Sequence, residues 1–297
     1  MGKVITIAQS PPQDESEVVT HNPWGGKLRD FTSARIALGR SGNSVPTNEL
    51  LSFQLDHAQA MDAVHCSLNI ESLVAGLSDS YSILENTLEP PVVVSSQVSD
   101  RLMYLQRPDL GRLLDESSWQ TLNLIANEHN TDIDLAIVIA DGLSSVAIQN
   151  HAVPVVTRLI SLLSADDEHQ WKFAPITIVK QGRVAVGGDD VGECFNAKAV
   201  LVLIGERPGL TSPDSMGMYL TWGAKRGSKD SQRNCISNVR PQGLNYDDAC
   251  ERAFYLLKEA RKLQLSGVNL KDRSDINEPS GASVEDKHSD NFLISSK

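Results

Sequence analysis

The residues best placed to do chemistry stand just beyond two apolar runs. Ala199 to Ile204 is aliphatic without interruption, and Gly205-Glu206-Arg207-Pro208-Gly209-Leu210 follows at once. Leu135 to Ala140, LAIVIA, gives way in the same manner to Asp141-Gly142-Leu143-Ser144-Ser145. Runs of this kind, rich in β-branched residues, read as strands covered on both faces by helices. Ligands of open parallel sheets sit beyond the carboxyl ends of such strands, so Glu206 to Leu210 is the first place to seek a bound molecule. A carboxylate there accepts hydrogen bonds from amide or hydroxyl groups. The plainer alternatives are a surface pair between Glu206 and Arg207, a turn role for Asp141, and a helix cap at Ser144.

Other chemistries lack their residues. Gly187, Gly188 and Gly192 are wrongly spaced for a dinucleotide loop, and there is no Walker loop, GxSxG elbow or HExxH. Cys66, Cys194, Cys235 and Cys250 are far apart with no CxxC, which indicates neither a disulfide framework nor a zinc site and fits a reducing compartment. His57 and His65 flank an apolar stripe with no carboxylate spacing that suggests a metal. A net charge of -11 argues against nucleic acid and anionic membranes as partners, and no segment reads as a membrane span or signal peptide. What remains is a set of polar strand ends suited to a large, mostly neutral ligand that presents amides and hydroxyls.

The elements that must position these residues read as α/β. We expect a Rossmann-like open, mostly parallel sheet with flanking helices over 131–271, preceded by a smaller helical region over 31–130. A flexible arm is expected over 1–30 and a disordered tail over 272–297. Within the helical region, Leu51, Leu55, Ala58 and Met61 mark an inward stripe from Thr47 to Val64, with Thr47 as its cap. Pro90 to Val94 leads into a short strand, and Trp119, Leu122 and Ile125 face inward on a helix ending near Asn130. Pro154 should open a helix through Leu163. PITIV (175–179) and RVAV (183–186) read as two short β runs before a helix over Asp190 to Asn196. Further strands are expected at Met218 to Trp222 and Cys235 to Asn238, and a helix at Asp247 to Leu265.

Taken together, SARIALGRSG (33–42), YLQRPDLGRLL (104–114), IADGLSS (139–145), GRVAV (182–186), GERPGL (205–210) and NCISN (234–238) carry a resemblance. In order and spacing they resemble the small subunit of ethanolamine ammonia-lyase, over roughly Asp30 to Asp272. The resemblance implies an adenosylcobalamin-dependent carbon-nitrogen lyase that converts ethanolamine to acetaldehyde and ammonia. It implies a large subunit, a barrel holding substrate and catalytic side chains, in an oligomer of heterodimers with six of each chain. The small subunit would close over the cobalamin from its nucleotide side, with contacts carried over to Val184, Glu206 and Cys235.

Val184 can contribute only backbone or packing, Cys235 reads otherwise as a small buried apolar residue, and Glu206 needs two or more partners to offset desolvation. No DxHxxG is present: Asp167-Glu168-His169 is followed by Lys172 where glycine would stand, and Asp286-Lys287-His288 by Asn291. Base-on binding is therefore expected. The arm before Asp30 resembles no targeting helix; the resemblance implies the cytoplasm, with or without a microcompartment around the enzyme. Two rivals stand beside this reading: a stand-alone Rossmann-like nucleotide-binding enzyme or module with Asp141 and Glu206 on a ribose, and a structural subunit without ligand binding.

Overall fold

A computed structural model describes residues 28–29, 34–83, 89–129 and 132–274; the expected arm and tail lie almost wholly outside them. In chain order the elements are α1 (Thr47–His65), α2 (Ile70–Ile83), β1 (Val92–Ser95), α3 (Arg101–Gln106), α4 (Glu116–His129), β2 (Leu135–Ala140) and α5 (Ser145–Ser164). There follow β3 (Thr177–Lys180), a π-helical turn (Val186–Asp190) running into α6 (Val191–Phe195), β4 (Ala199–Gly205), β5 (Met216–Trp222), β6 (Arg233–Val239) and α7 (Tyr246–Leu263). The six strands form one sheet in the order β1-β3-β2-β4-β5-β6.

The two apolar runs are its centre. β2 and β4 pair in parallel from Leu135 opposite Ala199 to Ala140 opposite Ile204, and every residue of both is buried. Alternation along β2 divides the core in two. Leu135, Ile137 and Ile139 pack with α5 and α7, while Ala136, Val138 and Ala140 pack with Leu122 of α4 and Val191 and Phe195 of α6. α7 buries Ala249, Ala253, Leu256, Leu257 and Ala260, the face its sequence periodicity predicts. α5 is long and apolar enough in composition to cross a membrane, but its apolar face lies in this core.

The structure corrects several expectations. The sheet is mixed: β1, β3, β2 and β4 are parallel, and β5 and β6 add on antiparallel. The links 206–215 and 223–232 are too short to contain a crossover helix, which takes a dozen or more residues, so the chain doubles back at each. RVAV is not a strand, because residues 184–195 form one continuous helical segment. The path from β3 to β4 passes β2, and a parallel crossover of that kind is made by a helix.

Pro154 lies inside α5 and does not start it. Ile148 and Ala152 before the proline and Val155 and Leu159 after it pack in the same core, which compensates one missing backbone bond. α1 is capped by Pro46 with no side-chain hydrogen bond, so Thr47 is not its cap. Its stripe is not inward either: Leu51 and Leu55 are each 59% exposed and Met61 51%. Periodicity reports a face that seeks apolar company; it does not say that the same chain supplies it.

The sheet order puts a switch point between β2 and β4. From β2 the chain moves outward to β3, and from β3 it returns past β2 to β4. Beyond these two strand ends the loops cross in direct backbone contact. Leu143 N–H donates to the Gly205 carbonyl at 2.9 Å. Gly142 has φ +58, and a Cβ on it would lie 2.2 Å from the Gly205 oxygen; a Cβ on Gly205 would lie 2.0 Å from the Ser144 oxygen. Neither glycine has room for a side chain. Gly205→Ala is expected to destabilise the chain by about 2–4 kcal/mol, since backbone must move to relieve the clash. Denaturant unfolding monitored by circular dichroism reads this directly; a change under about 0.5 kcal/mol would mean the loops yield freely.

Candidate functional site

Beyond the switch point lies a cavity of about 700 Å³. Its floor is Gly142 and Leu143 after β2 and Ile204 to Arg207 at the end of β4; one wall is Arg183 to Ala185, the other Tyr219 and Cys235. Tyr104, Arg112, Asp230 and Arg233 complete the lining. The structure thus brings Val184, Glu206 and Cys235 to one cavity although they belong to three different elements.

Glu206 is held with one side free. Its carboxylate accepts from the Ser215 hydroxyl and from the Asn238 N–H at 3.2 Å, and the residue is half-buried. The two partners expected for it are present, but Arg207 is not one of them: Arg207 is exposed and forms no ion pair among the described residues. Gly217 of β5 makes the carboxylate's room, since a Cβ there would meet Glu206 Oε1 at 2.9 Å. The loop from Glu206 to Ser215 is fixed from behind. Ser144 donates to the Pro213 carbonyl at 2.8 Å, and Arg240 donates to the Thr211 carbonyl at 3.2 Å and to Asp214 at 3.3 Å. His151 lies 3.2 Å from Asp214 and 2.7 Å from the Tyr246 hydroxyl.

Cys235 is exposed on β6 opposite Tyr219 of β5, with its sulfur 3.2 Å from the Ser237 hydroxyl. Its environment is therefore not the buried apolar site that its residue type alone suggested. Burial, followed by the neighbouring Cys235 and Glu206, holds the Tyr219 phenol above its ordinary range, so it stays a neutral donor. Val184 stands where the helical segment 184–195 begins. The N–H groups of that first turn have no partner within the helix.

Asp141 does not line this cavity. It is almost wholly buried and accepts from the Gly182 N–H at 3.0 Å, tying the loop after β3 to the end of β2. Burial pushes its pKa up to about 6, against the pull of Arg101, whose Nη1 is 3.7 Å away. Ser144 is the cap of α5, accepting from the Ala147 N–H at 3.2 Å, as the plainer alternative had it.

Several functional side chains gave no sequence signal. Tyr104 is fully buried between two guanidiniums, Arg101 at 4.8 Å and Arg183 at 4.5 Å from its ring centre, and donates to the Gly182 carbonyl at 3.2 Å. Arg233 makes a bidentate pair with Asp189 at 2.8 and 3.0 Å, both side chains nearly inaccessible. Arg226 pairs in the same way with Asp190, at 2.9 Å for both bonds. The π turn lets two consecutive aspartates each meet an arginine from the antiparallel half of the sheet. Two adjacent acids in an otherwise apolar stretch, GGDDVG, were the available hint.

Comparison with known proteins decides the family. A family model described as ethanolamine ammonia-lyase light chain (EutC) matches residues 21–271. The chain belongs to the ethanolamine ammonia-lyase light-chain family. It is 47% identical over 286 residues to the ethanolamine ammonia-lyase small subunit of Pseudomonas fluorescens (strain Pf0-1), covering 96% of this chain and 98% of that one. It is 48% identical to the small subunit of Pseudomonas syringae pv. tomato over 92% of both chains, and 50% identical to that of Pseudomonas putida (strain F1) over 86% of this chain and 89% of the relative. The cavity and its braces lie wholly inside the span that the light-chain family matches.

Two outcomes follow from the buried charges. Asp189→Asn leaves the buried Arg233 with only the exposed Asp230, 3.5 Å from its Nε, as a carboxylate partner and is expected to cost about 3 kcal/mol in urea unfolding; a cost below about 1 kcal/mol would mean the pair contributes little. Asp141 holds its proton more tightly folded than unfolded, so its contribution is full below pH 4 and is lost as pH rises to about 6. Asp141→Asn should therefore flatten the fall in stability between pH 4 and 6, measured by urea midpoints across that range. An unchanged slope would place the titration elsewhere.

Proposed function

We propose that this chain is the small subunit of an ethanolamine ammonia-lyase, and that its strand-end cavity holds part of an adenosylcobalamin shared with a large subunit. The observation that carries the reading is the convergence of Val184, Glu206 and Cys235 on one cavity at the switch point of the sheet. The donor set suits a corrinoid, whose rim is carboxamides offering N–H and C=O groups. Glu206 accepts amide or hydroxyl protons on its free side. The N–H groups opening the helical segment at Val184, with the Tyr219 hydroxyl, donate to carbonyls. The cavity is smaller than a cobalamin and open, so a second surface must enclose the rest.

When bound, adenosylcobalamin supplies a cobalt-carbon bond whose homolysis starts radical chemistry. This chain's own part is to bind, orient and shield. The cavity lining holds no histidine or lysine; of its two carboxylates, Glu206 is held by Ser215 and Asn238 with one side left for the ligand, and Asp230 faces Arg112 and Arg233. We therefore assign ethanolamine, and the steps that release acetaldehyde and ammonia, to the large subunit, in the cytoplasm with or without an enclosing microcompartment. The rival ribose site loses its support, because Asp141 is an internal brace and not a neighbour of Glu206 in the cavity.

Co-expression of this chain with a large subunit, followed by a visible spectrum of the purified complex incubated with hydroxocobalamin, tests the reading. Retained corrinoid absorbance is expected, and Glu206→Ala should weaken its binding about tenfold, the loss of one charge-assisted hydrogen bond. A complex that retains no corrinoid, or an unchanged affinity in the variant, would contradict it.

A further inference from the structure

The cavity holds a half-buried cation, Arg183, that no carboxylate among the described residues balances. Four guanidiniums line the cavity or its mouth, in a chain whose net charge is -11. Arg233 is matched by Asp189, and Arg112 faces Asp230 at 3.9 Å. Arg207 projects into solvent, which screens it. Arg183 is different. It is half-buried and has no carboxylate within ion-pair distance among the described residues. Its Nη2 donates to the Tyr104 carbonyl at 3.1 Å, its guanidinium stacks on the Tyr104 ring, and its Nε is buried without a partner.

Arg183 is also fixed in place. Its Cγ lies where a Cβ on Gly111 would touch it at 3.2 Å, and its N–H donates to the Gly111 carbonyl at 2.9 Å. The residue next to it is Val184, at the start of the helical segment, where N–H groups without a partner inside the helix and the helix dipole add positive potential. A rigid, half-desolvated cation at the start of a helix costs the empty protein stability and is matched by an anion. The Glu206 carboxylate on the floor repels one. The cavity is thus polarised, cationic at the Arg183 wall and anionic at Glu206 on the floor.

We propose that Arg183 binds the phosphate group of the ligand's nucleotide loop and so fixes which end of the corrinoid enters this chain. The assignment rests on the corrinoid reading given above. It makes Arg183 a specificity-determining residue, because a cobalamin has one permanent anionic group and the corrin rim offers only neutral amides to the Glu206 side.

Two corrinoids isolate the phosphate: cobinamide, which lacks it, and cobinamide phosphate. Both are titrated spectroscopically into the complex of this chain with a large subunit. The unaltered complex is expected to bind cobinamide phosphate about tenfold or more tighter than cobinamide, the range for a hydrogen bond to a charged group. Arg183→Gln should weaken cobinamide phosphate alone and bring the ratio close to one, whereas Arg183→Lys, which keeps the charge, should retain part of the preference. Unchanged cobinamide binding shows that the variant is folded. Lys262→Gln, removing an equal charge from an exposed position on α7 outside the cavity, should leave the ratio unchanged. An unaltered ratio in Arg183→Gln, equal weakening of both ligands, or loss of the preference in Lys262→Gln would overturn the assignment alone. Failure of the unaltered complex to bind either corrinoid would overturn the corrinoid reading and the assignment with it.

Discussion

Everything in the candidate site depends on the contact between the backbones of Gly142 and Gly205. Two buried strands end side by side, and the loops leaving them cross with no side chain between. That contact puts Leu143 and Glu206 next to each other on a common floor and sets the height at which every wall residue stands. A flat, closely packed floor leaves the room above it to the ligand. Both glycines are thus required by steric exclusion, and Gly142, at φ +58, by its backbone conformation as well.

Around that floor the site is braced by interactions that run from the lining into the elements behind it. Asp141 and Tyr104 tie the loop after β3 to the parallel half of the sheet through Gly182. Asp189 and Asp190 clamp the helical segment after Val184 to arginines of the antiparallel half. Arg240, His151 and Ser144 hold the loop that carries Glu206. Arg101 reaches from the last turn of α1, where Nε donates to the Val64 carbonyl at 2.7 Å, to the floor, where Nη1 donates to the Gly142 carbonyl at 2.7 Å. The exposed apolar helix and the cavity floor are therefore joined by one guanidinium, so displacement of either is felt by the other.

The amino-acid sequence makes the centre of the fold plain and its periphery obscure. β2 and β4 are legible because burial on both faces leaves unbroken aliphatic runs, and α7 because its inner face repeats at helical spacing. Strand direction is not written in Met216 to Trp222; it follows from the length of the loop before it. RVAV misleads because short β-branched runs suit a helix when the topology demands a crossover. Glu206 stands out from the residues alone, whereas Val184 and Cys235 do so only through family resemblance. Arg183 and Tyr104 stay hidden because their meaning lies in contacts with loops distant along the chain. The stripe on α1 is correctly read as apolar and wrongly placed, since the described residues do not bury it.

The central claim is that the space above the two glycines is a corrinoid site completed by a second polypeptide. A density map of this chain purified with a large subunit and hydroxocobalamin tests it most directly. The account predicts planar corrin density against Val184, Glu206 and Cys235, with its nucleotide loop toward Arg183. Corrin density confined to the partner, with this cavity filled by solvent or by the partner's side chains, would contradict it.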